Sequence, residues 1–379
     1  MTVSRDIGLY VHIPFCRQRC HFCAFYLEIA REERTASFLA ALEQEARLYH
    51  QHNLIGGRTL RTIYLGGGTP TAVPATQLIA LLAQFRTAFS VDPNAEVTVE
   101  AHPSTVSRGD LERLAEAGVT RISFGAESMK EEDFVPIGRP GTVSDTATAV
   151  AAARDAGFAN INLDVMYGLP GQTLDSWTAT LHALIDLNPA HVSCYALTIE
   201  DGTRLAHDIE RGHLPAPDES TQVEMDAAAD SILAGAGFQR YEISNYARPG
   251  FACRHNLLYW TDGDYLGLGP SAQSYVDGVR FGNVADLTAY TEQLNQGILP
   301  VSERTVLSPS EQARDALVFG LRLLKGVPLH AVGGHRPPEG QRRAMDRLIA
   351  QGLLEMENSR VRLTPLGQRY ADTVAEELF

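Results

Sequence analysis

The chain has 379 residues, and its content of 44% hydrophobic and 21% charged residues is typical of a globular protein and excludes a disordered one. Its 32 lysine and arginine residues are outnumbered by 46 aspartate and glutamate residues, which leaves a formal net charge of −14. Because nucleic-acid binding depends on a positive surface field, we expect no nucleic-acid partner.

The first half of the sequence alternates short β-rich runs with long amphipathic stretches. The predicted strands cover residues 8–14, 62–66, 96–101, 120–126, 160–168 and 191–197. The predicted helices that follow them cover residues 33–50, 76–88, 108–117, 143–156, 174–187 and 219–236. Strands that alternate with helices of this length predict parallel βα units with right-handed crossovers. Six units are too few for a complete eight-stranded barrel, and the pattern leaves open whether the sheet closes.

The alternation stops after residue 237, and two further regions follow. Residues 238–300 are predicted to be loop-rich and to pack on the first region, residues 1–237. Residues 301–379 contain predicted helices at 309–324 and 339–352, a hairpin at 353–364 and a last helix at 366–378. This order suggests a winged-helix-like module. Such modules often bind DNA, but nearly equal numbers of cationic and anionic residues favour a structural or docking role here.

Three of the five cysteines lie directly after the first predicted strand, as Cys16, Cys20 and Cys23. Loops after barrel strands commonly carry functional residues, and thiolates at this spacing can converge on one metal centre. Three inert buried cysteines would be a poor use of core positions. Zinc requires four protein ligands, and His21 would strain to reach a metal bound by its neighbours. The pattern favours a [4Fe–4S] cluster held by three thiolates, with one open iron.

The cysteine count and the apolar runs also bear on the compartment. Five cysteines are few and odd in number, which disfavours a disulfide framework. The first residues contain no apolar stretch of signal-peptide length, and the longest apolar runs, such as residues 78–83, are far shorter than the ~20 residues that cross a bilayer. We therefore expect a cytoplasmic protein with reduced thiols and no membrane segment.

The segment YVHIPFCRQRCHFC, residues 10–23, resembles the cluster loop of the radical S-adenosylmethionine superfamily. The resemblance implies that the amine and carboxylate of S-adenosylmethionine chelate the open iron, and that one electron from the cluster cleaves the cofactor to a 5′-deoxyadenosyl radical. A flavodoxin- or ferredoxin-type reductant would supply that electron. The resemblance also implies an α/β fold, a partial (β/α)6 barrel, which matches the six units and here carries a C-terminal winged-helix-like module.

Polar or glycine-rich positions recur at the ends of the predicted strands. Each alone is more typical of a solvated or capping residue, but their recurrence at one end of successive strands favours a shared ligand site. The run of glycines at 66–68 lets the backbone approach a ligand and is not a P-loop. By position, the resemblance implies that S-adenosylmethionine is bound by Tyr10, Phe22, Gly67, Gly68, Thr69, Glu100, Glu127, Arg139, Asp164, Ala196 and Gln273.

The most similar subgroup contains the oxygen-independent coproporphyrinogen III dehydrogenases and their haem-chaperone relatives. This sequence departs from the subgroup at His102, which replaces the asparagine of EANP, and at Glu127, which replaces the glutamine of GVQS. A carboxylate only accepts hydrogen bonds, whereas a carboxamide also donates them, so contacts at Glu127 must differ. The histidine that usually follows Gly138-Arg139 is also absent.

Three features separate the chaperones from the dehydrogenases. Phe25 stands where the dehydrogenases carry a fourth cysteine, and only nine residues precede Tyr10, whereas the dehydrogenases have a longer N-terminal extension. The segment from His255 to Trp260 matches the HNxxYW signature of the HemW-type haem chaperones. All three features favour a chaperone.

The chemistry of the HNxxYW segment suits haem. His255 or Cys253 could bind haem iron, and Tyr259 and Trp260 could pack on the porphyrin. The alternative is that His255 and Asn256 tie down a loop while the two aromatic residues fill the core.

We therefore expect a haem chaperone that carries a [4Fe–4S] cluster and S-adenosylmethionine and delivers haem to an acceptor protein, including by peripheral contact with membrane haem proteins. One alternative is a radical coproporphyrinogen III dehydrogenase. The other is a radical enzyme that acts on another substrate.

Overall fold

The computed structural model describes residues 6–329 and 339–379. The strands are β1 (Asp6–Ile13), β2 (Phe15–Cys16), β3 (Glu28–Ile29), β4 (Thr59–Gly67), β5 (Ser90–Ala101), β6 (Arg121–Glu127), β7 (Asn160–Tyr167), β8 (His191–Ala196), β9 (Gln239–Glu242), β10 (Asn245–Ala247), β11 (Tyr265–Leu268), β12 (Gln273–Val276), β13 (Val279–Asn283), β14 (Val301–Val306), β15 (Val327–Pro328), β16 (Leu354–Glu357) and β17 (Arg360–Leu363). The α-helices are α1 (Glu32–Gln51), α2 (Ala75–Ala88), α3 (Arg108–Glu116), α4 (Glu131–Phe134), α5 (Val143–Asp155), α6 (Leu174–Asp186), α7 (Arg204–Glu210), α8 (Glu219–Gly235), α9 (Arg254–Trp260), α10 (Leu287–Asn295), α11 (Pro309–Gly320), α12 (Glu339–Ala350), α13 (Pro365–Arg369) and α14 (Ala371–Leu378).

Six parallel strands in chain order form the centre of the molecule. The main sheet of the described residues has twelve strands in the order β14-β13-β12-β11-β1-β4-β5-β6-β7-β8-β10-β9. Strands β1 and β4 to β8 pair in parallel, each with the next, and β11 adds to β1 in parallel on the other side. The remaining strands extend both sides in antiparallel pairing. The α/β fold with a partial, open (β/α)6 barrel is confirmed.

The two faces of the parallel strands differ in chemistry. On the outer face, the alternate residues of each strand are apolar and buried, for example Leu9, Ile63, Val99, Ile122 and Leu163. Successive side chains of a strand point to opposite faces, so the intervening positions face the barrel interior. The inner positions are mostly polar or glycine, and include Gly8, Tyr10, His12, Thr62, Tyr64, Gly66, Glu96, Thr98, Glu100, Arg121, Ser123, Gly125, Asn162, Asp164, His191, Ser193 and Tyr195. The barrel interior is therefore where ligands or buried polar networks must lie.

The helices begin where the sequence supplies caps. Ser107, Thr142, Thr173 and Ser308 each begin a helix with a reciprocal capping box. Within the described residues, no helix is long and apolar enough to cross a membrane.

Residues 238–300 differ from the prediction, because they are not loop-rich. They contain β9 to β13, α9 and α10, and their strands continue the main sheet on both sides. These strands have only three to five residues, so their alternation is too short to recognise beside many turn residues. The division of the chain at residues 237 and 300 stays a prediction.

The C-terminal region has its own apolar core. Helices α11, α12 and α14 pack with the three-stranded sheet β15-β17-β16 around Leu317, Leu348, Val361 and Val374. The predicted last helix, residues 366–378, is two helices that meet at Tyr370. The helix–helix–hairpin–helix order agrees with the predicted winged-helix-like module, and residues 330–338 of that module lie outside the described part.

Candidate functional site

The loop with the three cysteines lies at the mouth of the barrel. Cys16 ends β2, which pairs with β3 across the loop, and the backbone N–H of Cys23 donates to the carbonyl of Cys20 at 3.3 Å. The loop is fixed to the barrel because the N–H of His21 donates to the carbonyl of Ile137 at 2.8 Å. Gly68 lies so close to β2 that a Cβ there would be 2.7 Å from the carbonyl oxygen of Phe15. The glycine run thus positions the cluster loop.

The thiols suit a polynuclear cluster better than a single ion. Nowhere in the described part do three Cys, His, Asp or Glu side chains converge closely enough to hold one metal ion, whereas a four-iron cluster binds each thiolate on a different iron. Burial raises the pKa of Cys16, and it raises the pKa of Cys20 to about 11. Both thiols are therefore protonated at pH 7 unless a bound metal lowers their pKa. Within the described residues all the cysteines are free thiols.

A cavity of about 1230 Å³, including its open mouth, adjoins the cysteines. It brings together most of the predicted site residues, namely Cys16, Cys20, Cys23, Phe22, Gly67, Gly68, Thr69, Glu100, Glu127, Arg139 and Asp164. Tyr195, near the end of the sixth predicted strand, also lines it, and so does Ser123, which was not among the predicted residues. The two-residue alternation from Arg121 to Ser123 is the signal that would have found Ser123.

Two carboxyl groups are held in fixed positions on the cavity wall. Glu100 accepts hydrogen bonds from the Tyr64 hydroxyl at 2.7 Å and from the N–H of Gly67 at 3.2 Å. Asp164 accepts from Asn162 at 2.7 Å and from Ser123 at 3.3 Å. Burial raises the pKa of Glu100 to about 7 and raises the pKa of Asp164. Such carboxylates suit the ammonium or hydroxyl groups of a cationic ligand.

Arg139 is a cation of the cavity wall, and Glu127 holds it in place. The guanidinium lies 3.4 Å from the Glu127 carboxylate and also donates to the carbonyl of Gly125. The Tyr195 hydroxyl donates to Glu127 at 3.2 Å. Glu127 follows a bulge in β6 and has φ +63°, a conformation that few residues other than glycine adopt and that occurs at functional sites. Burial raises the pKa of Glu127, against the effect of Arg139.

His102, the other departure from the subgroup, acts as a cap. Its Nδ1 accepts from the N–H of Ser104 at 3.1 Å, and its Nε2 donates to the carbonyl of Pro140 at 3.1 Å. An asparagine side chain can accept the same backbone N–H, since Asn is a preferred capping residue. Burial lowers the pKa of His102 to about 4, so the ring is neutral at pH 7. The substitution thus preserves the local turn.

Three predicted cofactor residues do not line the cavity. Tyr10 lies deeper in the barrel, where its hydroxyl bonds His12 at 3.1 Å, and Ala196 pairs with Tyr167 in the sheet. Gln273 is exposed on β12 and donates to Glu303 at 3.1 Å. The antiparallel strands carry Gln273 away from the ends of the parallel strands, which the sequence pattern did not reveal.

The HNxxYW segment forms α9, which closes the opposite end of the barrel. Its first N–H groups, those of Arg254 and His255, donate to the Glu96 carboxylate at 3.1 Å. His255 is 1% exposed, with Nδ1 2.7 Å from the Thr62 hydroxyl and Nε2 2.9 Å from the Tyr259 hydroxyl. Both ring nitrogens are paired in this arrangement, and the role of His255 as a haem ligand stays a prediction.

Cys253, like His255, is inaccessible to solvent. Its side chain is fully buried, and burial raises the pKa of the thiol to about 12, so it is no thiolate at pH 7. Burial lowers the pKa of His255 to about 3. The burial and pairing of His255 favour the alternative that it ties down a loop. Trp260, at the end of α9, is partly exposed and reaches the C-terminal region.

Comparisons with known proteins agree with this geometry. Residues 10–184 match the model of the Radical SAM superfamily, and residues 307–370 match that of the HemN C-terminal domain. The chain is 34% identical to the heme chaperone HemW of Mycobacterium tuberculosis (strain ATCC 25618 / H37Rv) over 378 residues, which cover 99% of this chain and 95% of the relative. It is 33% identical to HemW of Bacillus subtilis (strain 168) over 374 residues, 96% of this chain and 97% of the relative.

The crystal structure of the coproporphyrinogen III oxidase HemN from Escherichia coli superposes with a TM-score of 0.87 at 24% identity, covering 99% of this chain and 90% of that one. At this identity the likeness shows the fold alone. The relatives match almost the whole chain, and the radical S-adenosylmethionine model matches the part that holds the three cysteines. From this agreement we conclude that the chain belongs to the HemW family of the radical S-adenosylmethionine superfamily.

Proposed function

We propose that this chain is a haem chaperone that binds haem and transfers it to an acceptor protein. The observation that carries the proposal is the similarity to heme chaperones HemW over almost the full length of the chain and of the relatives. The acceptor is an apoprotein that requires haem. This class of acceptor includes membrane haem proteins, which the chain would reach by peripheral contact.

The cofactors of this function are a [4Fe–4S] cluster and S-adenosylmethionine. Cys16, Cys20 and Cys23 would hold the cluster, because they share the wall of one cavity and have no other covalent partner. In this superfamily the cluster and the bound S-adenosylmethionine together supply one-electron cleavage of the sulfonium. A flavodoxin- or ferredoxin-type protein would be the reductant.

The polar residues of the cavity would bind and orient S-adenosylmethionine. Arg139 can pair with the carboxylate of the methionyl group, and Glu100 and Asp164 can accept from ammonium or ribose hydroxyl donors. The three carboxyl groups that line the cavity outnumber its two guanidinium groups, those of Arg139 and the exposed Arg17. The cavity therefore has an excess of negative charge when the carboxyl groups are ionised, which suits a sulfonium cation.

Phe25 favours the chaperone over the dehydrogenase. Its side chain lines the mouth of the cavity and is 69% exposed, and it supplies no thiol at the position where the dehydrogenases carry their fourth cysteine.

The test is anaerobic reconstitution with iron and sulfide, followed by two parallel assays. One measures haem binding from the Soret band and haem transfer to an apoprotein. The other measures decarboxylation of coproporphyrinogen III with reductant and S-adenosylmethionine. We expect stoichiometric haem binding and transfer without decarboxylation. Absence of haem binding would refute the proposal, and cluster-dependent decarboxylation would establish the dehydrogenase in its place.

A further inference from the structure

A line of hydrogen bonds crosses the barrel interior from α9 to the cofactor cavity. The backbone N–H of Cys253, directly before α9, lies 3.2 Å from the Tyr241 hydroxyl, and that hydroxyl lies 2.9 Å from Nε2 of His191. Nδ1 of His191 lies 2.5 Å from Oδ1 of Asn162, and Nδ2 of Asn162 lies 2.7 Å from the Asp164 carboxylate. Because Asp164 lines the cavity, the line joins the closed end of the barrel to the open end.

The carboxylate at the end of the line fixes the direction of each bond. An ionised carboxylate only accepts, so Asn162 turns its amide nitrogen to Asp164 and its oxygen to His191. That oxygen needs a donor, which is Nδ1–H of the ring. Nε2 of the neutral ring then accepts from the Tyr241 hydroxyl, whose oxygen accepts from the N–H of Cys253. The donors therefore all point toward Asp164, and hydrogen bonds aligned in one direction polarise and strengthen one another.

His191 stays neutral, as this direction requires. The side chains of His191 and Asn162 are fully buried. Burial lowers the pKa of His191 well below its usual value, and the positive charge of Arg121 lowers it further. Nη2 of Arg121 is 3.5 Å from Nδ1, so the closer oxygen of Asn162 is the partner of that nitrogen. A ring that gains no second proton keeps one donor and one acceptor.

Two serines hold Asn162 in the same orientation. The hydroxyl oxygens of Ser123 and Ser193 lie 2.7 Å and 3.1 Å from Nδ2 of Asn162. The Ser123 hydroxyl in turn donates to the second oxygen of Asp164 at 3.3 Å. Asp164 itself is partly exposed on the cavity wall. The protein thus binds the carboxylate from its buried side and leaves its cavity side to a ligand.

We propose that His191 and Asn162 are positioning residues for S-adenosylmethionine, because they hold the Asp164 carboxylate in the orientation in which it accepts from the cofactor. The inference rests on the proposed function, which places S-adenosylmethionine in this cavity. Neither positioning residue lines the cavity, so their effect on the cofactor passes through Asp164. A carboxylate that is already fixed loses little freedom when the cofactor binds, which strengthens binding.

The first experiment measures binding of S-adenosylmethionine by equilibrium dialysis to the reconstituted full-length chain and to four variants. Asn162→Leu and His191→Leu remove the hydrogen bonds and keep side chains of similar size. His191→Asn keeps the donor, because its amide nitrogen is as many bonds from the backbone as Nδ1. Tyr246→Phe is the matched control, since Tyr246 is buried in β10 and its hydroxyl donates to Asp230 at 2.6 Å, away from the cavity.

We expect Asn162→Leu to raise the Kd about tenfold or more, because the carboxylate loses its nearest donor. His191→Leu should raise the Kd about tenfold, because the amide of Asn162 loses the partner that orients it. His191→Asn should bind within about twofold of the unmodified chain, and Tyr246→Phe should bind normally. A residue that only fills space would not distinguish asparagine from leucine in this way.

The second experiment observes the ring of His191 directly and requires no weakened variant. Nitrogen NMR spectroscopy of the chain with isotopically labelled histidine distinguishes a protonated ring nitrogen from an unprotonated one. The signals of His191 are those that disappear in His191→Asn. We expect the proton on Nδ1 in the unmodified chain.

Each of three results would overturn the inference. A proton on Nε2 in the unmodified chain would reverse the line of hydrogen bonds. Equal weakening in His191→Leu and His191→Asn would reduce His191 to packing, and normal binding by either leucine variant would show that Asp164 needs no such support. Haem binding is measured separately, so these results leave the haem-chaperone proposal intact. Failure of the unmodified chain to bind S-adenosylmethionine would remove that cofactor from the proposed function together with this inference.

Discussion

The two ends of the barrel interior contain similar polar residues, but one end forms an open cavity and the other is closed. At the ends of the parallel strands nearest the cysteines, Glu100, Asp164 and Arg139 line an open cavity. At the other end, Glu96 and Arg121 are buried, and Glu96 caps α9, which closes that end. Inward-pointing polar residues therefore do not identify a ligand site by themselves. Solvent access decides whether such residues form a ligand site, because a polar group that is sealed from solvent must find its hydrogen-bond partners within the protein.

One side chain joins the two ends. The hydroxyl of Tyr64 donates to Glu100 on the open side, and its ring stacks on His255 at 5.1 Å on the closed side. The HNxxYW helix thereby supports the wall of the cofactor cavity from behind, which gives His255 a positioning role.

The largest expected effect concerns the open end. Replacing Cys16, Cys20 and Cys23 by alanine should abolish iron and sulfide uptake on anaerobic reconstitution, because no thiolate is left to bind the cluster. Chemical analysis of iron and acid-labile sulfide measures this. Cys194→Ala is the matched control, since Cys194 is buried outside the cavity and should leave the cluster content unchanged. Zinc bound by four protein ligands without sulfide would contradict the cluster assignment.

At the closed end we expect His255→Ala to lower the free energy of unfolding by about 3–4 kcal/mol, since it opens a cavity and leaves the Thr62 and Tyr259 hydroxyls unpaired. Denaturant unfolding measures the change. His182→Ala is the control because His182 is exposed on α6, and it should shift stability by about 0.5 kcal/mol or less. A changed Soret band with unchanged stability in His255→Ala would instead support the prediction from the sequence that His255 contacts haem.

Glu45 is a carboxyl group that is buried without a neighbouring cation, and its titration measures how much such burial costs in stability. Glu45 is fully buried and accepts from the Tyr290 hydroxyl, Asn283 and the N–H of Gly269, and burial raises its pKa to about 7. The folded state keeps the proton that the unfolded state loses near pH 4.5, so this group's contribution to stability is lost as pH rises from about 4.5 to 7. The loss is about 3 kcal/mol.

The measurement is the free energy of unfolding at several pH values for the unmodified chain and for Glu45→Gln. The variant cannot titrate at this position, so its stability should fall less over the same range, whatever its absolute stability. Parallel profiles for the two proteins would show that Glu45 does not titrate in this window.

The smallest effect should come from Glu127, where this chain departs from its subgroup. Ionised Glu127 competes for Arg139 with the carboxylate of S-adenosylmethionine, so Glu127→Gln should bind the cofactor about three- to tenfold more tightly at high pH. The advantage should vanish at low pH, where Glu127 is protonated in the unmodified chain. Equilibrium dialysis of S-adenosylmethionine across pH measures the ratio. A ratio that does not change with pH would show that Glu127 acts only by its shape.

The sequence determined the features that depend on neighbours in the chain. The alternation of strands and helices predicted the six parallel units, because strand and helix periods are local properties. The spacing of Cys16, Cys20 and Cys23 predicted one shared centre, and the strand ends predicted most of the cavity wall, since the ends of parallel strands meet at one edge.

Only the tertiary structure decided which polar residues are reachable. Nothing in the order of residues shows that α9 seals His255 behind Thr62 and Glu96, because those contacts join positions about 160 to 190 residues apart. The same holds for Gln273, which the antiparallel strands turn outward to Glu303, and for Trp260, which meets Arg322 of the C-terminal region. Burial is a property of the packed chain, and residue type and spacing do not encode it locally.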